Sequence, residues 1–177
     1  GGTGMYIKLI GGLFLIGSAA AVGFIKAEEL QVRVRILLEL KRMIGFLQGE
    51  LRFHKASLAE AFEAVSDRTS EPFAGFLKEL ARKIETKDFR GFEEIWKEQV
   101  ERLLKEDGFQ KEDRYLLETL GNGLGYLDLK MQTENLNLVM LQTEEAVRLA
   151  KEMQQVKGKM YQTLGVTAGV FLTLLII

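Results

Sequence analysis

The chain has 177 residues and nearly balanced charge, with 24 basic and 25 acidic side chains. This balance gives no electrostatic footprint for nucleic acid, because nucleic-acid-binding domains concentrate Lys and Arg on one face. Cysteine is absent, which excludes disulfides, cysteine-ligated zinc and thiol nucleophiles. The length suits one domain, and a middle segment rich in Glu, Lys, Leu and Ala with a single proline predicts an all-α fold.

An apolar run lies close to the beginning of the chain. Residues 1–4 precede the first methionine, and we interpret them as a cloning or annotation remnant. Seventeen uncharged residues then lie between Lys8 and Lys26, close to the lower limit of about 17–25 residues for a transmembrane helix. We predict an N-terminal transmembrane helix over residues 5–26. The small residues Ser18–Ala21 also resemble a cleavage site, so a removable signal peptide is the alternative.

A second apolar run ends the chain, and residues 164–177 carry no charge. We predict a C-terminal transmembrane helix over residues 160–177. Fourteen helical residues cover roughly 21 Å, less than the hydrocarbon core of about 30 Å. Either residues 160–163 also enter the bilayer while Lys159 snorkels, or the tail leans on another helix. Gly165 and Gly169 have the GxxxG spacing of membrane helix contacts, which leaves open pairing with the first apolar helix or with another protein.

Basic residues flank both apolar runs on their inner sides. Lys26 and four further basic residues up to Arg42 follow the first run, and Lys151, Lys157 and Lys159 precede the last. By the positive-inside rule these flanks face the cytoplasm. We therefore predict a cytoplasmic helical bundle over residues 27–159, and this charge placement favours an uncleaved anchor over a signal peptide.

Six helices in an antiparallel bundle are predicted between the apolar ends. The first, from about residue 27 to residue 53, has an apolar stripe at steps of three and four, formed by Leu30, Val34, Leu37, Leu40, Ile44, Leu47 and Leu51. The inward residues predicted for the four middle helices are Leu58, Ala61, Phe62, Val65, Phe73, Phe76, Leu77, Leu80, Ile84, Phe92, Ile95, Trp96, Val100, Leu103, Tyr115, Leu116 and Leu120. Those of the last are Leu136, Val139, Met140, Thr143, Val147, Ala150 and Met153.

Local signals predict where the middle helices begin and end. Ser57 with Glu60 forms a capping-box pattern, Ser70–Pro72 is a start with proline in the first turn, and Asp88 is a candidate cap for the fourth helix. Asp107–Gly108 is expected to end that helix. Gly121–Gly123 is expected to break a fifth helix that starts at about residue 111.

A catalytic site is not indicated by the residue pattern. His54 is a lone histidine, interpreted as a surface or capping residue, and it provides neither a metal pair nor a recognisable triad. Most carboxylates alternate with Lys or Arg and fit solvated helix pairs. The Gly121–Gly125 segment lacks the Lys-Ser/Thr of a phosphate loop. We therefore predict no enzyme activity, no cofactor and no metal site. Gly45 and Gly49 are interpreted as packing positions within the domain, with a partner-binding face as the alternative.

Several blocks of the chain resemble one family, the stage III sporulation protein AB family of endospore-forming bacteria. They are KLIGGLFLIGSAAAVGF, GELRFHKASLAEAF, LETLGNGLGYLDLKMQTENL and KGKMYQTLG, and the resemblance covers nearly the whole chain from Met5. That family is similar in turn to the cytoplasmic helical domains of type II secretion and type IV pilus inner-membrane platform proteins.

The resemblance implies a six-helix domain between two membrane helices, in a channel that joins mother cell and forespore. It also implies partners, namely a secretion-type ATPase, other channel subunits and the bilayer, with a homo-oligomer as a further option. On this basis we expect a non-enzymatic platform subunit that docks the ATPase from the mother-cell cytoplasm. The alternatives are a membrane-tethered ligand-binding sensor and a metal-dependent hydrolase.

Positions that match the family blocks are candidate partner-binding or structural residues: Leu47, Glu50, Ser57, Leu58, Gly121, Gly125, Asp128, Gln132, Lys159 and Gly165. Ser57 is expected to cap a helix, Gly121 and Gly125 to shape a turn, and Asp128 to lie favourably in the first turn of the last helix. For Glu50 we hypothesise a polar contact with the ATPase or another subunit.

Overall fold

The computed structural model describes residues 2–86, 91–125 and 128–176. Six α-helices and one π-helical turn make up the regular structure of this part, which confirms the all-α prediction. The helices are α1 (Gly2–Gly49), α2 (Leu58–Ser66), α3 (Phe73–Glu85), α4 (Phe92–Leu103), α5 (Asp113–Leu124) and α6 (Leu129–Ile176), and the turn (Glu50–His54), called the π-turn below, follows α1.

The chain divides into two compact units. Unit 2 spans Arg35–Arg148, and unit 1 comprises the residues up to Val34 together with those from Leu149. The division reflects internal contacts and does not locate a membrane boundary. The boundaries given above, 5–26, 27–159 and 160–177, therefore stay predictions.

In unit 2, α1 and α6 run antiparallel beside each other. Lys41 forms an ion pair with Glu144 at 2.9 Å, and Gln48 donates a hydrogen bond to Asn137 at 2.9 Å. The apolar stripe predicted for the first helix is buried, apart from the half-buried Leu30. From α6, Leu136, Val139, Thr143 and Val147 are buried as predicted, and Ala150 is buried in unit 1, whereas Met140 is half-buried and Met153 is exposed.

The capping box that was predicted for α2 is present. The Ser57 hydroxyl accepts from the Glu60 backbone N–H, and the Glu60 carboxylate accepts from the Ser57 backbone N–H at 2.8 Å. This arrangement satisfies two N–H groups that a helix start leaves without partners. Ala61, Phe62 and Val65 follow in the core.

The start of α3 differs from the prediction. The helix begins at Phe73, so Pro72 is its N-cap instead of lying within the first turn, and no side chain caps the N-terminus at that position. The Glu71 carboxylate accepts from the Gly75 N–H at 3.1 Å, which gives a first-turn donor a partner. Along the helix the predicted apolar face is buried except for the half-buried Ile84.

Aromatic rings hold α2, α3 and α4 together. The ring of Trp96 lies 5.2 Å from that of Phe76, 6.2 Å from that of Phe62 and 5.8 Å from that of Phe92, measured between centroids. Such edge-to-face and tilted contacts add to apolar burial. The predicted cap Asp88 lies outside the described residues, and Gly91 occupies the N-cap of α4.

The ends of α4 and α5 correct two predictions. Helix α4 ends at Leu103, ahead of the Asp107–Gly108 stop, and Gly108 has a φ of 90° that suits glycine. The Gly121–Gly123 segment does not break α5, which continues to Leu124. Glycine suits these helical positions because neighbouring side chains occupy the space that a Cβ would need: Trp96 beside Gly121 and Asn135 beside Gly123. Tyr115, predicted to face inward, is exposed.

In unit 1, small residues of α1 and α6 face each other. A Cβ added to Gly12 would lie 2.5 Å from the Thr173 methyl group, and one added to Gly169 would lie 2.6 Å from the Ile16 Cα. The Thr173 hydroxyl donates to the Gly12 carbonyl at 3.0 Å. The GxxxG glycines of α6 thus pack on α1 of the same chain, one of the two pairings left open above.

One helix of the described residues is long and apolar enough to cross a membrane. It covers Gly4–His54, and its most apolar window has a mean hydropathy of 1.9 with 12% of its residues buried. The C-terminal half of α6 does not meet the same criterion. Insertion of residues 160–177 therefore stays a prediction.

Candidate partner-binding surface

The π-turn changes the backbone geometry at the end of α1. Five residues, Glu50–His54, adopt the wider winding, and Lys55 closes the turn in the left-handed region with φ 51° and ψ 33°. The N–H of Lys55 donates to the carbonyl of Glu50. π-Turns are rare and frequently lie at functional sites, and a non-glycine residue with positive φ is uncommon. The segment therefore has the local features of a functional surface.

A buried carboxylate anchors this turn. Glu50 is 8% exposed. Its Oε1 accepts from Arg68 at 3.0 Å, and its Oε2 lies 2.8 Å from Nδ1 of His54. Because an ionised carboxylate only accepts hydrogen bonds, Nδ1 is the donor in the second contact. The side chains of Arg68 and His54 are 50% and 69% exposed, so a buried acid holds two exposed nitrogen groups in place.

The neighbouring Phe46 ring makes two cation–π contacts. The guanidinium carbon of Arg68 lies 4.0 Å from the ring centroid, and that of Arg42 lies 5.4 Å from it. Stacking of this kind fixes the direction of long arginine side chains at a partly exposed site. Arg68 is therefore held by both a carboxylate and an aromatic ring.

An exposed phenylalanine stands beside these basic groups. Phe53 is 73% exposed, and the guanidinium carbon of Arg52 lies 5.5 Å from its ring centroid. His54 and Lys55 are exposed as well. Aromatic residues and arginine are enriched in protein interfaces, where they carry much of the binding energy. We call the exposed groups of this region the basic aromatic surface: Arg52, Phe53, His54, Lys55 and Arg68.

Four sequence-predicted residues lie in the π-turn or close to it in the chain. Leu47 is fully buried, Glu50 is the anchor, the exposed Ser57 is the N-cap of α2, and the half-buried Leu58 is its first residue. The carboxylate of Glu50 contacts Arg68 and His54 of its own chain, and its hypothesised contact with the ATPase or another subunit stays a prediction.

A second group of predicted residues shapes the connection from α5 to α6. Gly125 caps α5, and the N–H of Gly125 donates to the carbonyl of Gly121 at 3.0 Å. The Asp128 side chain accepts from the N–H of Lys130 at 3.1 Å, just before α6 begins. Gln132 donates from Nε2 to the carbonyl of Leu124 at 3.1 Å and so ties the two helices together. These residues therefore form hydrogen bonds within the chain that hold the end of α5 next to the beginning of α6.

The last two predicted residues belong to unit 1. Lys159 is exposed, and Gly165 packs against the Ala19 carbonyl and the Gly23 Cα of α1. The structure therefore does not gather the ten predicted residues into one site. It places four at the π-turn, four at the α5–α6 connection and two in unit 1.

Sequence reasoning missed the groups that give the π-turn its chemistry. Arg68 is eighteen positions from its partner Glu50, so no local sequence pattern links the two residues. The cation–π contacts of Phe46 could not be predicted from the sequence either. The RFHK run, residues 52–55, was the signal that could have indicated Phe53. This phenylalanine follows Leu51, the last residue of the apolar stripe, and lies between basic residues, so it is not expected to be buried in the core.

Within the described residues, no group of three or more His, Asp or Glu side chains is placed to hold a metal ion. The carboxyl groups whose pKa is lowered are those that accept a hydrogen bond from a nearby side chain. The Arg114 guanidinium lowers the pKa of Glu101, and Arg82 lowers the pKa of Glu79, each mainly by a hydrogen bond.

The apolar helix, the helical unit and the anchored turn together define a class: an all-helical protein with one helix long and apolar enough to cross a membrane and with a basic aromatic surface. The family can be stated as well. The family model described as "Stage III sporulation protein AB" matches residues 8–177, and the chain belongs to this family.

Two similar proteins carry the same description. Stage III sporulation protein AB of Bacillus subtilis (strain 168) is 22% identical over 170 residues, which cover 96% of this chain and 99% of that protein. A solved structure of stage III sporulation protein AB superposes with a TM-score of 0.64 and 16% identity, over 71% of this chain and 98% of its own. This structural likeness shows the fold.

Proposed function

We propose that this sporulation protein is a non-enzymatic platform subunit of a channel between mother cell and forespore. In this role unit 2 lies in the mother-cell cytoplasm, docks a secretion-type ATPase and couples it to the membrane subunits. Family membership supports the sporulation role, and the apolar helix of α1 supports membrane association.

The observation that carries the docking step is the exposure of Phe53 above a buried anchor. Burying a phenylalanine side chain contributes about 1.5–3 kcal/mol of free energy. Because Phe53 is exposed in the chain by itself, a partner that covers it would gain this free energy. Glu50 and Phe46 hold Arg68 next to the turn, which keeps the surface basic and preorganised. Preorganised groups lose less conformational entropy on binding. The expected complement on the ATPase is an apolar pocket with an acidic rim.

The proposed mechanism is mechanical. The described residues present an anchored contact surface and a helical core, and the energy for transport comes from nucleotide hydrolysis by the docked partner. In such a subunit, variants of the basic aromatic surface weaken docking without unfolding unit 2.

Co-purification from membranes of sporulating cells tests the proposal. The tagged full chain should retain the secretion-type ATPase, identified by mass spectrometry. Phe53→Ala and Arg52→Glu should each reduce the retained ATPase at least about tenfold, the effect of losing an interface contact of about 1.4 kcal/mol or more. Tyr115→Ala is the matched control, because Tyr115 is another exposed aromatic of unit 2 away from the π-turn.

The outcomes separate the parts of the proposal. If the wild-type chain retains no ATPase, the platform role is overturned. If it retains ATPase and Phe53→Ala behaves like Tyr115→Ala, docking occurs elsewhere and the basic aromatic surface has another role.

A further inference from the structure

The two long helices of unit 1 pack in a fixed antiparallel register. The Cβ position of Gly12 lies 2.5 Å from the Thr173 methyl group, and that of Gly23 lies 2.4 Å from the Tyr161 carbonyl oxygen. Between these two contacts α1 advances by eleven residues while α6 returns by twelve. Because both helices rise by about 1.5 Å per residue, the same register tells which residues of α1 and α6 lie at one level.

This register brings lysines of both helices to one level. Three residues beyond Gly23, Lys26 lies level with residues 158 and 159 of α6. The burial of Ala27 and Gly158 fits helices that still contact each other there. We call Lys26, Lys157 and Lys159 the lysine belt, because they lie within about 3 Å of one another along the helix axes.

The lysine belt lies at the edge of the apolar part of unit 1. From Lys26 back to Lys8, α1 has no charged residue, and α6 has none after Lys159. The nearest acids, Glu28 and Glu29, follow Lys26 on the side away from the apolar segments. In both helices the first charged group next to the apolar segment is therefore a lysine, and the fold places the two lysines at the same level.

The belt lysines are accessible to an external anion. Lys157 and Lys159 are exposed and form no ion pair within the described residues. Lys26 pairs with Glu29 at 2.8 Å, but both side chains are more than half exposed, and such pairs contribute little free energy.

A tyrosine completes the belt on one side. Tyr161 is half-buried, follows Lys157 by one turn of α6 and so shares a face with it. It also lies within range of an electrostatic interaction with Lys26. Its phenol can donate a hydrogen bond, and tyrosine is enriched where membranes meet water. Lys26, Lys157 and Tyr161 thus form a group of donors that draws on both helices.

We propose that the lysine belt binds the phosphate groups of anionic phospholipids and makes unit 1 selective for them. The ammonium groups bind the phosphate, and the apolar segments of α1 and α6 contact the acyl chains of the same lipid. A zwitterionic headgroup binds less well, because its own cation is repelled by the lysines. The inference rests on the membrane insertion of unit 1 that the proposed platform role requires, and it is independent of the basic aromatic surface.

Native mass spectrometry of the full chain tests this selectivity. The chain is released from detergent micelles that contain equal amounts of phosphatidylglycerol and phosphatidylcholine with the same acyl chains. The wild-type chain should retain phosphatidylglycerol in at least about tenfold excess. Lys157→Gln combined with Lys159→Gln should lower this excess at least about fivefold, the effect of a single lysine near an anionic membrane surface.

Two further double variants serve as controls. Lys157→Arg with Lys159→Arg should keep the excess, because guanidinium groups also bind phosphate. Lys111→Gln with Lys130→Gln removes the same charge from two exposed lysines of unit 2, and it should leave the excess unchanged.

Carbonate extraction of vesicles that contain the full chain separates this inference from the platform role. A chain that carbonate releases is not inserted in the bilayer, and both proposals would then be wrong. A chain that resists extraction but retains the two lipids equally, or retains neither, would overturn the lysine belt alone. Equal losses in the belt variant and the unit 2 control would show that net charge sets the preference, which would also overturn the lysine belt.

Discussion

Gly121 lies directly against the indole ring of Trp96, so close that no Cβ fits between them. The ring cannot move away easily, because its Nε1 donates to the carbonyl of Leu117 at 2.9 Å and the rings of Phe62 and Phe76 pack against it. The close packing of α4 on α5 therefore requires glycine at position 121, because any other residue would add a Cβ.

Replacement of Gly121 by alanine should destabilise unit 2 by about 1–3 kcal/mol, the usual cost of overpacking a well-packed core. The measurement is urea unfolding of the full chain in detergent, followed by circular dichroism. Gly49→Ala is the control, because Gly49 is helical with open space at its Cβ position. It should be neutral or stabilising by up to about 1 kcal/mol. Equal effects of the two substitutions would contradict the packing argument.

Glu50 and Arg68 should show energetic coupling. In a double-mutant cycle with Glu50→Gln and Arg68→Met, we expect a coupling of roughly 0.5–1 kcal/mol, the lower part of the range for contacting residues. The value is modest because Arg68 is half exposed. The exposed pair Glu145–Arg148 serves as the control and should couple more weakly. No difference between the two pairs would show that burial of Glu50 gives the turn no extra support.

Ser57 should control the titration of Glu60. Hydrogen bonds from the Ser57 hydroxyl and backbone N–H hold the pKa of Glu60 below its ordinary 4.5. A carboxyl group whose pKa is lower in the folded state stabilises the fold above its ordinary pKa. That contribution is lost as the pH falls through the lower folded value. Acid should therefore weaken the start of α2.

The substitution Ser57→Ala tests this prediction. It should raise the pKa of Glu60 towards 4.5 in an NMR titration and cost about 1 kcal/mol of stability at neutral pH, as expected for loss of an N-cap. The pKa of Glu145, which Arg148 lowers, should remain unchanged. An unaltered Glu60 titration would show that the hydroxyl does not act on this carboxylate.

A disulfide should form between α1 and α6 of unit 1. The Cβ position of Gly12 lies 3.5 Å from the Cβ of Thr173, which is within the range of about 3.5–4.5 Å for cystines. The chain has no cysteine of its own. We expect mild oxidation of the variant Gly12→Cys/Thr173→Cys to cross-link the helices within one chain. Mass spectrometry of a proteolytic digest detects the link.

Gly11 provides the control for this cross-link. Nothing lies within 4 Å of its Cβ position, so Gly11→Cys/Thr173→Cys should stay reduced under the same conditions. Cross-linking between two chains instead of within one would contradict the pairing of α1 with α6 and favour a contact between copies.

Regular features of the fold were predictable from the sequence because they depend on residues close together in the chain. The apolar stripe ending at Leu51 fixed the buried face of α1, and Ser57 with Glu60 fixed the start of α2. In both cases the deciding interactions lie within four residues, the distance over which helical periodicity and capping act.

Features that depend on distant residues were not predictable. From the sequence Gly121 is expected to break a helix, because helix propensity depends on the residue type alone. In the structure the ring of Trp96 fills the space that a side chain at this position would need. The anchor of the π-turn needs Arg68, which the packing of α2 against the π-turn brings to Glu50.

The position of Trp96 also makes the molecule easy to observe. It is the single tryptophan of the chain and is buried where α2, α3 and α4 meet, whereas Tyr6 and Tyr115 are exposed. Selective excitation of indole fluorescence therefore reports on one place in unit 2, without any attached dye. Because the ring of Phe76 contacts this indole at 5.2 Å between centroids, a change in the packing of α3 against α4 should alter the emission. Rearrangement of this part of unit 2 in the intact protein thus has a built-in optical signal.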